Sequence, residues 1–170
     1  MKFKYCPKCG EKLKEKFSWD EGMVPYCEID NIMYFDIPKP CVIVAVIKDK
    51  SILLLKQSYI FKNSKVLVSG YVNSGETVEE TVYREVIEET GIHVKDIAYL
   101  GSEYFKEKDI IMLTFIAYYD SGNISKSNEV EWAGWENIDV AIDQMKEDEI
   151  GKRVVKKAID FINSKNKFKE

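Results

Sequence analysis

Histidine is nearly missing from this chain. His93 is the only one in 170 residues, and it reads as the residue opening a strand rather than as a ligand, so metal centres have to come from thiolates and carboxylates. Long apolar runs are missing too. No stretch reaches the roughly 18 apolar residues that a membrane span needs, and the opening MKFKYCPKCGEKLKEKF has no apolar core of the signal-peptide kind. A membrane protein is therefore not expected, and the cytoplasm is the expected compartment. An excess of positive charge is also lacking. The net charge of −4 argues against non-specific nucleic-acid binding, which draws on basic surface, so no nucleic-acid partner is expected. The short lysine-rich patches at Lys12 to Lys16 and Lys165 to Lys169 read as solvated termini. Internal repeats and low-complexity segments are absent.

What is present fits a soluble globular protein: 45% of residues are hydrophobic and 32% charged. Two of the four cysteines form a C-x2-C knuckle, Cys6-Pro7-Lys8-Cys9-Gly10, a metal-binding spacing in a reducing compartment. A second such pair is expected some ten to twenty residues on, and there the chain reads Cys27-Glu28-Ile29-Asp30, with aspartate in the last cysteine's place. Zn²⁺ accepts carboxylate oxygen at about the distance of an imidazole nitrogen, so Cys6, Cys9, Cys27 and Asp30 make a plausible ligand set. Cys41 is the rival for the fourth position. It heads the apolar run CVIVAVI, where a buried structural thiol is the ordinary expectation, and Asp30 is preferred. A small zinc ribbon over residues 1–36 follows, its folding energy supplied by the metal because so short a segment cannot build a sufficient core. Residues 37–170 form the main domain.

Between Gly70 and Ile92 the chain reads GYVNSGETVEETVYREVIEETGI. Thr77 and Glu80 have the form of a capping box and Gly91 that of a left-handed C-cap, which predicts a helix from Val78 to Thr90. Val78, Val82 and Val86, with Ile87 beside them, supply an apolar stripe. Glu85, Glu88 and Glu89 stand at i, i+3 and i+4 and share a face. Three like charges on one face repel. Such a run is ordinarily a solvated surface, yet it becomes favourable when a hard divalent cation sits among the oxygens.

Gly70, Glu76, Arg84-Glu85, Glu88-Glu89 and Gly91, with aliphatic Val86 and Ile92, fill every fixed position of G-x5-E-x7-R-E-U-x-E-E-x-G-U, where U is a bulky aliphatic residue. The chain therefore resembles the Nudix hydrolases. The resemblance implies hydrolysis of a nucleoside diphosphate linked to another moiety, with Mg²⁺ or Mn²⁺ bound by Glu85, Glu88, Glu89 and the Gly70 carbonyl. It also implies an internal ion pair between Arg84 and Glu76 that orients the helix against its loop. The alternative is a Nudix-like sensing or partner-binding module without catalysis, and a zinc-ribbon nucleic-acid binder ranks third.

Elsewhere, Val42 to Val46 and Ile52 to Leu55 read as a hairpin around Lys48-Asp49-Lys50, and Val66 to Val68 and Tyr71-Val72 lead into the motif. Ala98 to Phe105 and Ile110 to Tyr119 read as strands joined at Lys106 to Asp109, with one more at Val130 to Trp135. Asp139 to Met145 and Ile150 to Ile162 have helical spacing. This order predicts a mixed sheet with the motif helix on one face and a carboxy-terminal helix on the other, in agreement with the α/β/α sandwich, the α+β fold, that the Nudix resemblance implies. The ribbon, the PKP-strand and the wording V-S-G-Y-V-N-S-G-E resemble the NADH pyrophosphatase subgroup. Glu129 in Glu129-Val130-x-x-Ala133-x-Trp135 resembles an additional glutamate that many Nudix enzymes place near the metals, as ligand or base. The subgroup's S-Q-P-W-P-F-P stretch is replaced by Ser102-Glu103-Tyr104-Phe105-Lys106-Glu107. Tyr71, Tyr104 and Phe105 are candidates for stacking on a base. A homodimer is expected by resemblance alone.

Overall fold

Local chemistry sets the boundaries of the motif helix. In the computed structural model, which describes residues 3–57 and 59–167 with side chains to residue 165, helix α1 runs Val78–Thr90. The Thr77 hydroxyl accepts from the Glu80 amide at 3.2 Å, and the Glu80 carboxylate accepts from the Thr77 amide at 2.8 Å, closing the capping box. Gly91 then turns left-handed at φ 71°, and its amide donates to the Ile87 carbonyl.

The chain divides into two compact units, residues 1–38 and 39–170; residues 1 and 2 lie outside the described residues. The first unit holds an antiparallel sheet of β1 (Lys14–Ser18), β2 (Gly22–Cys27) and β3 (Ile32–Met33), in that order. Its buried apolar residues are Cys6, Val24 and Cys27, while Trp19 is 92% exposed and Phe17 and Tyr5 are also open to solvent. So little burial cannot offset the entropy of ordering the segment, and another source of stability is required.

In the second unit, strands β4 (Lys39–Lys48), β5 (Ser51–Lys56), β6 (Val68–Tyr71), β7 (His93–Phe105), β8 (Ile110–Ser121) and β9 (Trp132–Asn137) form one mixed sheet. Their order is β7-β8-β4-β5-β9, with β6 pairing to β4. Strand β4 runs parallel to β8 and antiparallel to β5, which it meets through a turn where Asp49 adopts φ 54°. From Cys41 to Ile47 every β4 residue is buried, as expected of a strand covered on both faces. Val42, Val44 and Val46 pack in one cluster with Val82 and Val86 of α1. Ile43, Ala45 and Ile47 point the other way, toward Ala141 of α2 (Ile138–Gln144), Met145, and Val154, Val155 and Ala158 of α3 (Glu149–Lys167). Each buried valine or isoleucine in these layers stabilises by about 1.5–3 kcal/mol. The result is the expected three-layer α+β sandwich.

Some boundaries differ from expectation. Strand β7 begins at His93, five residues before Ala98, because its first stretch pairs with β8 through register shifts that break the alternation. The last strand is Trp132–Asn137 rather than Val130 to Trp135; Val130 is buried ahead of it. Ile87 is 41% exposed and stands off the apolar stripe, since the helix turns it away from Val82 and Val86. Val66 makes only an isolated bridge to Leu55. In the lysine patch at the carboxyl end, residues 168–170 lie outside the described residues.

Candidate active site

Arg84 sits on α1 and spends all five of its N–H donors. Nε and Nη2 grip both oxygens of Glu76 at 2.7 and 3.0 Å, and Nη2 also donates to the Tyr71 carbonyl at 3.0 Å. Nη1 donates to Glu85 at 2.7 Å and to Glu88 at 2.9 Å. Glu76 further accepts from the Thr81 hydroxyl and the Asn73 amide. The loop from Tyr71 to Glu76 is thus tied to the helix through one guanidinium. Hydrogen bonds from Arg84 hold the Glu76 carboxyl down at about 2. A depressed acid stabilises the fold above its unfolded pKa of about 4.5, and that contribution is lost as pH falls toward 2. In Glu76→Gln, a urea-midpoint profile should be flatter than wild type between these limits and lower at neutral pH. Identical profiles would show that the pair does no stabilising.

Glu89 faces differently. It is 7% exposed, and its Oε1 accepts from the Gln57 amide at 2.8 Å, while Oε2 is buried with no partner. Burial pushes its carboxyl up to about 7, and the charge of Glu85 adds to the shift. Glu85 is raised as well, again mainly by burial. Both line a cavity of about 950 Å³ together with Gly70, Tyr71, Tyr104, Phe105 and Glu129. Glu129 reaches it because its segment docks on the end of α1: the Ser125 and Ser127 amides donate to the Thr90 and Glu89 carbonyls at 2.8 and 3.2 Å. Glu88 stands outside this lining, 59% exposed on Arg84. The three motif glutamates therefore do not converge; two open on the cavity and one is drawn aside.

Gly70 is packed so closely that a Cβ there would overlap the Glu85 carboxylate. Gly70→Ala should displace that carboxylate and lower turnover about tenfold or more, as read from initial rates beside a melting curve. An alanine variant with wild-type rates would remove the glycine from the site. The cavity lining offers hard oxygen donors, one of them buried and unpartnered, and this donor set fits Mg²⁺ or Mn²⁺.

In the first unit, Cys6, Cys9, Cys27 and Asp30 each offer a ligand atom, all within 4.8 Å of one another. Cys9 and Cys27 sulfurs stand 3.5 Å apart, and an Asp30 oxygen lies 3.2 Å from Cys6 and 3.5 Å from Cys27. Tetrahedral zinc ligands are spaced by similar lengths, so the group fits that ion. Sequence reasoning missed two neighbours. The Tyr34 hydroxyl lies 3.0 Å from the Cys6 sulfur, and Lys8 reaches Asp30 at 3.2 Å, partly offsetting the charge of the set. Cys41 is buried in the cavity wall of the second unit, where burial pushes its thiol up to about 12, and the group of four ligand atoms in the first unit does not include it.

Residues 38–158 match the NUDIX domain. The chain belongs to the Nudix hydrolase family. It is 34% identical over 135 residues to the NAD-capped RNA hydrolase NudC of Vibrio parahaemolyticus, covering 77% of this chain and 51% of that one. To the NAD-capped RNA hydrolase NudC of Escherichia coli strain K12 it is 36% identical over 138 residues, covering 80% and 52%. The chain thus spans about half the length of these relatives. Among solved structures, a NUDIX hydrolase from Nitrosomonas europaea superposes with a TM-score of 0.74 at 17% identity over 91% of this chain and 89% of that one. A UDP-X diphosphatase superposes at 0.60 with 21% identity, over 73% and 62%. Identities this low speak for the Nudix fold alone. The relatives' name stands against the expectation that nucleic acid plays no part. No helix among the described residues is long and apolar enough to cross a membrane.

Proposed function

We propose that this Nudix hydrolase is a divalent-metal-dependent pyrophosphohydrolase that cleaves the diphosphate of a nucleotide joined to a second moiety, an NADH- or ADP-ribose-like dinucleotide being the leading class. The observation that carries the reading is the buried, unpartnered Glu89 oxygen, which shares with Glu85 the lining of a cavity large enough for a dinucleotide. Glu85, Glu89 and the Gly70 carbonyl would hold Mg²⁺ or Mn²⁺, with Glu88 joining them by leaving Arg84. Bound there, the cation neutralises the diphosphate and lowers the pKa of water.

The chain's own residues do the rest. Arg84 and Glu76 hold the loop and helix in register, so that Gly70 and Glu85 keep their approach. Glu129, exposed and lining the same cavity, is the candidate base: it takes the proton from the attacking water while the water oxygen bonds to phosphorus and the bridging P–O bond breaks. Two monophosphates leave. Tyr71, Tyr104 and Phe105 line the same cavity and supply faces on which a base can stack. The cysteine and Asp30 group is proposed as a structural zinc ribbon ahead of the catalytic domain.

The relatives named NAD-capped RNA hydrolase support adding NAD-capped RNA to the candidate substrates, with the RNA as a tail on the adenosine side. Tyr104-Phe105-Lys106-Glu107 departs from the subgroup's stretch in the cavity lining, which is where this preference would be set. A panel of NADH, ADP-ribose, diadenosine polyphosphates, FAD, CoA, nucleoside triphosphates and a short NAD-capped RNA, resolved chromatographically, tests the reading. Metal-dependent release of a nucleoside monophosphate from a diphosphate-linked member is expected. Tight binding without turnover of any of them would favour the sensing module instead.

A further inference from the structure

Only two buried side-chain polar atoms among the described residues lack a hydrogen-bond partner, Gln57 Oε1 and Glu89 Oε2, and both belong to the same hydrogen-bonded pair. A buried amide with an unpaired oxygen is unfavourable, and in a core this apolar it calls for a reason. Gln57 is 1% exposed and follows Ile52 to Leu55, four residues with no exposed surface. Leucine or methionine would fill the same volume with no polar atom to satisfy.

We infer that Gln57 is a positioning residue for the cation site, fixing Glu89 so that one carboxylate oxygen is taken and the other is left free. This rests on the proposed metal-dependent reading. The amide nitrogen of Gln57 donates to Glu89 Oε1 at 2.8 Å, and the amide oxygen is the atom left over. The choice of donor carries the argument further. Arg84 holds Glu76, Glu85 and Glu88 with a positive charge that competes with a cation. Gln57 holds Glu89 with a neutral donor, which orients the carboxylate and leaves its full charge for a metal.

The place in the fold supports the role. Gln57 lies just past the end of β5, where the Lys56 carbonyl accepts from the Glu131 amide at 2.8 Å, and its own carbonyl accepts from the Ile60 and Phe61 amides at 2.9 and 3.2 Å. One strand end therefore anchors Glu89, the segment bearing Glu129 and the turn whose Tyr59, Ile60 and Phe61 line the cavity. A residue held this firmly can set the direction of a carboxylate.

The test is Mn²⁺ titration of the full chain followed by electron paramagnetic resonance, with melting in EDTA recorded beside it. Wild type, Glu89→Gln, Gln57→Leu and Gln57→Met are compared. The expected result is that both Gln57 variants fold, yet bind Mn²⁺ about tenfold more weakly than wild type and give an altered bound-ion spectrum. Folded variants with wild-type affinity and spectrum would overturn the inference and leave the metal reading standing. Failure of both variants to fold would also overturn it, by assigning Gln57 to stability alone. Equal Mn²⁺ affinity in wild type and Glu89→Gln would sink the metal reading, and this inference with it.

Discussion

Replacing Glu89 with glutamine is expected to lower turnover of a diphosphate-linked nucleotide about 10²–10³-fold while making the metal-free protein more stable above neutral pH. The two effects share one cause. Glu89 is buried, and burial raises its carboxyl to about 7 from an ordinary value of 4.5. An acid raised by folding favours the folded state fully below its unfolded pKa, and that advantage is lost as pH rises from about 4.5 to 7. At pH 8 in EDTA the ionised carboxylate therefore costs the fold about 3 kcal/mol, which glutamine does not incur. The urea midpoint of Glu89→Gln should exceed that of wild type at pH 8 and converge with it near pH 4.5. A variant that loses activity by losing stability would point to a structural glutamate instead. One that keeps full activity would refute its catalytic assignment.

Removing zinc should have the second large effect. The first unit buries little besides Cys6, Val24 and Cys27, and structural zinc in small units contributes about 10 kcal/mol or more to folding. Elemental analysis should find about one zinc per chain, lost in Cys6→Ser. With the metal gone, limited proteolysis should cut within residues 3–38, the described part of that unit. Intact zinc content in Cys6→Ser, or unchanged resistance to cleavage, would contradict the ribbon.

What the sequence makes legible is local. Thr77, Glu80 and Gly91 delimit α1 to the residue because capping depends on groups three or four positions apart. Asp49 marks the β4–β5 turn for the same reason, and both hairpins were readable from apolar runs separated by charge. The α+β sandwich followed from element order, whereas the parallel pairing of Lys39 with Ile110 did not, since nothing local records a contact over such a separation. Irregular pairing hid the start of β7, where Lys95 and Asp96 interrupt the alternation and Asp96 adopts φ 49°.

The candidate site divides along the same line. Glycine and glutamate spacing in the helix pointed to a cation, yet spacing could not say that Glu88 would turn to Arg84 while Glu89 turned inward. Gln57 gave no signal, being one polar residue after an apolar strand, 32 positions from its partner. Tyr34 was equally silent, 28 positions from Cys6. Such partners are chosen by the tertiary fold, which brings together residues far apart in the chain. Cys41 shows the converse: its place at the head of an apolar run suggested a buried thiol, and it is one.

The most direct measurement is anomalous diffraction at the manganese edge from crystals of the full chain soaked in Mn²⁺. A peak bounded by the Glu85 and Glu89 carboxylates and the Gly70 carbonyl, with Glu88 released from Arg84, is the result expected. Ordered carboxylates still engaged with Arg84 and Gln57, with no anomalous density between them at saturating Mn²⁺, would contradict the account.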